Sequence, residues 1–139
     1  MTEREILKTY RTIAVVGLSN DPMRASLSVA KYMQDHGYRI IPVNPAETEV
    51  LGEKAYPDLS SVPEPVEIVD IFRRSEQIPP IVDDAIAVGA KVIWMQQGIS
   101  NEEAAAKARA AGLEVIEDAC IRTAHRRMMA GEADWASSA

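Results

Sequence analysis

The side chains best suited to chemistry lie in the segment AVVGLSNDPMRAS, Ala14 to Ser26. Gly17 ends an apolar run, and Ser19, Asn20, Arg24 and Ser26 follow just before a helix-forming stretch. Glycine permits a sharp turn from strand to helix. The first N–H groups of a helix have no partner within it and lie at the positive end of its dipole. Serine hydroxyls add donors, and the guanidinium fork of arginine matches phosphate oxygens. Together these residues describe a receptor for phosphate, with pyrophosphate a natural guest. A Gly-x-Gly-x-x-Gly dinucleotide loop would repeat glycine at positions 19 and 22, where this chain has Ser19 and Pro22. A plainer reading needs no ligand: Ser26 caps the helix and Arg24 lies on the surface.

More polar residues follow the other apolar runs. Asn44 and Pro45 come after YRIIPVN, and Phe72, Arg73 and Arg74 after VEIVD. Gln96, Gln97 and Gly98 end or follow KVIWMQ, and Asp118 and Cys120 follow LEVIE. The set holds no Ser-His-Asp arrangement, no acid–base pair of carboxylates and no metal ligands at usable spacing. It is suited to holding an anion rather than to performing a reaction. An NAD site usually places Asp or Glu at the end of the second strand, on the ribose hydroxyls. Here that strand ends in Asn44-Pro45, Glu47 lies beyond it, and no arginine follows for an NADP phosphate. Hydride transfer is weakened by this and not removed.

The elements that must position these residues alternate. Thr2 and Glu5 have the spacing of a capping box for a helix to about Tyr10. Strands are expected at 12–17, 38–44, 66–72, 91–96 and 113–117. Helices are expected from Ser26 to His36, from Pro79 to Val88, from a Ser100/Glu103 capping box to Gly112, and from Ile121 to Met129. Residues 45–65 read as an irregular connection with one helical turn near Leu59. Pro42 cannot donate to a ladder, so it belongs near a strand end or at a sheet edge. The alternation predicts an α/β fold of three layers, Rossmann-like, with a five-stranded parallel sheet and helices on both faces. The expected order is 3-2-1-4-5, which puts a ligand beyond the carboxyl ends of strands 1 and 4.

The 139 residues fit a single domain, with an N-terminal helix in 1–11 and a frayed tail in 132–139. Apolar residues make up 47% and charged residues 26%, enough for a real core. With 21 acidic and 15 basic residues the net charge is −6, which argues against a nucleic-acid partner. Arg122, His125, Arg126 and Arg127 read as a solvated helix end. His36 reads as a helix-end residue and His125 as a surface or dimer-contact residue. Cys120 is the one cysteine, which excludes an intrachain disulfide and suits a reducing cytoplasm. No apolar run approaches the roughly 20 residues of a membrane span, and no signal-peptide core is present.

Five segments, IAVVGLSNDPMRAS, RIIPVNP, EIVDIFRR, VIWMQQGI and IEDACI, occur in order from Thr12 to Arg127. In this the chain resembles the small stand-alone CoA-binding domain proteins, related to the N-terminal CoA-binding domain of the succinyl-CoA synthetase α subunit. The resemblance implies a Rossmann-like fold holding CoA in an extended crevice. Gly17, Ser19, Arg24 and Ser26 would hold the diphosphate, and Asn44 and Pro45 would line the adenosine side. Ile71, Phe72 and Arg73 would flank the nucleotide, and Gln97 and Gly98 would lie under the pantetheine arm. The thiol of that arm could then approach Cys120. Ala119 departs from the family, which often has a basic residue there. The expected function is binding of CoA or acyl-CoA without complete catalytic machinery. The alternatives are a small NAD(P)-dependent oxidoreductase, a CoA-binding ligase subunit completed by a partner chain, and an interaction protein with a degenerate site. A homo-oligomer is left open.

Overall fold

The computed structural model describes residues 1–132. The expected tail lies almost wholly outside the described residues. Helix α1 (Glu3–Thr9) opens with the expected capping box, in which the Glu5 N–H donates to Thr2 Oγ1 and the Thr2 N–H to Glu5 Oε1. The chain continues through β1 (Thr12–Val16), α2 (Ala25–Asp35), β2 (Arg39–Val43), β3 (Ile68–Ile71), α3 (Ile78–Ala87), β4 (Val92–Met95), α4 (Glu102–Ala110), β5 (Glu114–Ile116) and α5 (Ile121–Met129). Between β2 and β3 lie a hairpin of Glu49–Val50 with Glu53–Lys54 and a 3₁₀ turn at Leu59–Ser61, capped by Asp58. The turn was expected and the hairpin was not.

All five main strands are parallel, in the order β2-β1-β3-β4-β5. This corrects the expected order: β3 lies between β1 and β4 rather than outside β2. The chemistry of the strands explains it. The Tyr56 N–H donates to the Pro42 carbonyl at 3.0 Å on the outer side of β2. The Pro42 nitrogen faces the same way, so a full strand paired there would lack a donor. Every residue of β3 is buried, Asp70 included, as suits an interior strand covered on both faces. The direction of winding therefore reverses between β1 and β3, and the ligand crevice moves from the β1/β4 position to the β1/β3 position.

Side chains alternate between two cores. Ile13, Val15, Ile68 and Trp94 face Ile6 and Leu7 of α1, Val29 and Met33 of α2, and Ile121 and Ala124 of α5. Ala14, Val16, Val69, Ile71, Ile93 and Met95 face Ile78 and Val82 of α3 and Ala104 and Ala108 of α4. Each large aliphatic side chain buried this way contributes roughly 1.5–3 kcal/mol. Trp94 is fully buried, and its Nε1–H donates to the Ala119 carbonyl at 2.9 Å, tying β4 to the start of α5. Two expected caps shift. Arg24, not Ser26, is the cap residue of α2, and it makes no side-chain cap bond. Asn101, not Ser100, caps α4, accepting from the Ala104 N–H at 2.9 Å.

Candidate functional site

The exits of β1 and β3 touch at Gly17. Its φ is +91°, and a Cβ there would lie 2.4 Å from the Phe72 carbonyl oxygen. Only glycine accepts both the left-handed turn and this approach. The turn leads into α2, whose first residues, Ala25 and Ser26, line a cleft of about 880 Å³. Gly17, Arg24 and Ser26 line it from the β1 exit and the start of α2, Phe72, Arg73 and Arg74 from the β3 exit, and Gly98 and Ile99 from the segment after β4. A second lobe of about 410 Å³ adjoins it, lined by Val16, Val43, Pro45, Leu59 and Ile81 among others. Arg73 and Gln77 line both lobes.

The polar residues of the site divide by what they hold. The Ser19 N–H donates to Ser26 Oγ at 3.3 Å, and Ser19 Oγ accepts from the Asp21 N–H at 3.0 Å. Asn20 turns away from the cleft: its N–H and Nδ2 donate to the Glu47 carboxylate at 2.7 and 3.0 Å, and Nδ2 also donates to the Glu49 carbonyl. These bonds, the Asn20 N–H foremost, hold the Glu47 carboxyl below its usual range. Asn44 is buried, donating to the Leu18 carbonyl and accepting from the Ala46 N–H at 2.9 Å. Ser19, Asn20 and Asn44 therefore shape the loop. Ile71 is fully buried in the core and forms no wall.

The cations are differently placed. Arg24 is exposed, with Nε 4.0 Å from Asp21, and Arg74 is exposed, with Nε 3.9 Å from Glu76. Such pairs are weak in water. Arg73 is half-buried, and its Nη2 reaches Asn44 Oδ1 at 3.5 Å. Beneath Phe72, Asp70 is buried and accepts from Gln96 Nε2 at 2.6 Å. Burial pushes its carboxyl up to about 7 against the opposing effect of that bond.

Gln97 and Cys120 are not brought into this cleft. They line a separate depression of about 340 Å³ with Asp118 and Thr123. The Gly98 N–H donates to Asp118 Oδ1 at 2.6 Å, joining the two regions at their border. The sequence reading missed Ser75 and Gln77 of the main cleft and the Pro57–Leu59 wall of the second lobe. Their one signal is position, since they follow β3 and β2 at the carboxyl edge of the sheet.

His125 is corrected from surface to interior. It is 3% exposed, and its Nδ1 lies 2.9 Å from the Tyr32 hydroxyl. Ile121, Ala124, His125 and Met128 repeat at the spacing of one apolar helix face, which puts His125 inward. Among the described residues, no helix is long and apolar enough to cross a membrane.

Known proteins share this architecture. A protein of Bacillus subtilis called uncharacterized protein YneT is 49% identical over 122 residues, covering 88% of this chain and 90% of that protein. The structure of a hypothetical protein from Pyrococcus horikoshii OT3 matches with a TM-score of 0.89 at 42% identity, over 91% of this chain and 89% of that one. The apo form of a dinucleotide-forming acetyl-coenzyme A synthetase 1 from Ca. Korarchaeum cryptofilum matches with a TM-score of 0.71 at 30% identity. That match covers 81% of this chain and 27% of the synthetase chain. The CoA-binding domain family model matches residues 11–126, a span containing all five strands and both lobes of the cleft, and the chain belongs to that family.

Proposed function

We propose that this protein binds CoA or acyl-CoA in the cleft beyond β1 and β3 and carries no complete catalytic machinery of its own. One observation carries the reading: the α2 N-terminus, without a side-chain cap, faces Arg73 across a cleft that adjoins an apolar lobe. The diphosphate fits the first lobe, where Arg24, Ser26 and the α2 N–H groups meet it. Adenine fits the second, against Val43, Pro45 and Leu59. The pantetheine arm leaves past Gly98, toward the border with Gln97 and Cys120. β2 is followed by Asn44-Pro45, without the carboxylate that an NAD ribose would need, and Glu47 beyond it is engaged with Asn20.

A second reading, a CoA-binding subunit completed by a partner chain, is supported by the match to part of a larger synthetase. Both readings place the same ligand in the same cleft. The test is thermal unfolding with CoA, NAD and NADP at equal concentration. A ligand bound only by the folded state raises Tm by mass action. CoA is expected to raise it most, and a larger rise with NAD would overturn the assignment.

A further inference from the structure

We infer that Arg73 reads the 3′-phosphate on the adenosine ribose of CoA and so makes the site selective for CoA over dephospho-CoA. The inference rests on the CoA reading above and concerns which part of the ligand each cation meets. In CoA the ribose lies between adenine and diphosphate. Among the described residues, Arg73 is the one cationic side chain lining both the apolar lobe and the cleft at the α2 N-terminus. A nucleotide spanning the two lobes passes its ribose beside this guanidinium.

The surroundings of Arg73 support this role. Arg24 and Arg74 each have a carboxylate nearby, whereas among the described residues Arg73 has none within ion-pair distance. Its contact with Asn44 is a long one to a neutral amide oxygen, at 3.5 Å. Gly17 leaves the space that its Nε occupies, since a Cβ there would lie 3.3 Å from that atom. A half-buried guanidinium steered by packing and lacking an anionic partner is matched to a dianionic phosphate. The acids bordering the second lobe, Asp58 and Asp84, oppose a phosphate seated deeper. Asp58 is engaged with Ser61 first and then Ser60, which hold its carboxyl below the usual range. The anion is thereby confined to the lobe border, where Arg73 stands.

Calorimetry with CoA and dephospho-CoA on the parent, Arg73→Ala and Arg24→Ala tests this. The parent is expected to prefer CoA by about tenfold or more, the loss of one charge-assisted contact. Arg73→Ala is expected to bring the two ligands close to equal affinity. Arg24→Ala is expected to weaken both by a similar factor and keep the preference. Arg73→Gln, which retains much of the side-chain packing, serves if the alanine variant does not fold. Equal binding of both ligands by the parent overturns the inference and leaves the CoA reading standing. So does a preference that survives in the Arg73 variants. A parent that binds neither ligand overturns the CoA reading and the inference with it.

Discussion

Replacing Asp70 by Asn should stabilise this protein at neutral and alkaline pH and do little in acid. Asp70 lies in β3, level with Val15 of β1 and Trp94 of β4, and all three are buried. Its ordinary carboxyl value is 3.8, and burial raises it to about 7 in the fold. Between those values the native state holds a proton that the unfolded chain has released. Stability therefore falls as pH rises through this window. The favourable contribution is complete below 3.8 and is lost as pH rises through about 7. At about 1.4 kcal/mol per pH unit, the shift is worth about 4 kcal/mol. Asparagine has the same shape, its Oδ1 can still accept from Gln96 Nε2, and it does not ionise. Asp70→Asn should therefore gain up to about 4 kcal/mol over the parent near pH 8 and little near pH 4. Urea unfolding of both proteins across that range, at fixed ionic strength, measures the difference. His125 titrates in both chains and cancels. An advantage independent of pH, or none at any pH, would show that Asp70 does not carry this penalty.

Two further outcomes are expected. Gly17→Ala should cost at least about 2 kcal/mol in urea unfolding, because a Cβ would meet the Phe72 carbonyl and an L-residue resists the left-handed turn; parental stability would refute the close approach. His125 is held below its ordinary 6.5 by burial first, then by His36 and Arg11, so the native state resists a proton that the unfolded chain takes up. Stability should fall as pH drops below 6.5, and His125→Phe should flatten that slope; an unchanged slope would assign it to other groups.

The elements were legible because their signals are local. The Thr2/Glu5 capping box, the β-branched runs, and Gly37 and Gly89 after their helices all act within a few residues. Strand order is not local: nothing within VEIVDIF names its neighbours. The one local feature that bears on it is the missing donor of Pro42, whose side of β2 is met by Tyr56 rather than by a full strand. The caps moved by one or two residues because Ser26 and Ser100 are good capping types beside other candidates. Their side chains follow the path of the loop and not the propensity scale.

The site was harder to read than the fold, for a reason that lies in the chemistry of loops. A loop that presents N–H groups to an anion must first satisfy its own backbone, and it does so with the same residue types that bind anions. Ser19 accepts from Asp21, Ser26 accepts from Ser19, and Asn20 joins Glu47 to the hairpin. On the page these residues look no different from Arg24 and Arg73. What separates them is which atoms already have partners. That accounting shows Asn20 and Asn44 engaged in holding the loop, and it leaves Arg24, Arg73 and Arg74 lining the cleft beside the first residues of α2. It also changes what Glu47 means. By its position in the sequence it lies too far beyond β2 to serve as a ribose carboxylate. By its bonds it is the clamp that, through Asn20, draws the hairpin against the first loop, and so helps fix the path of the chain into α2.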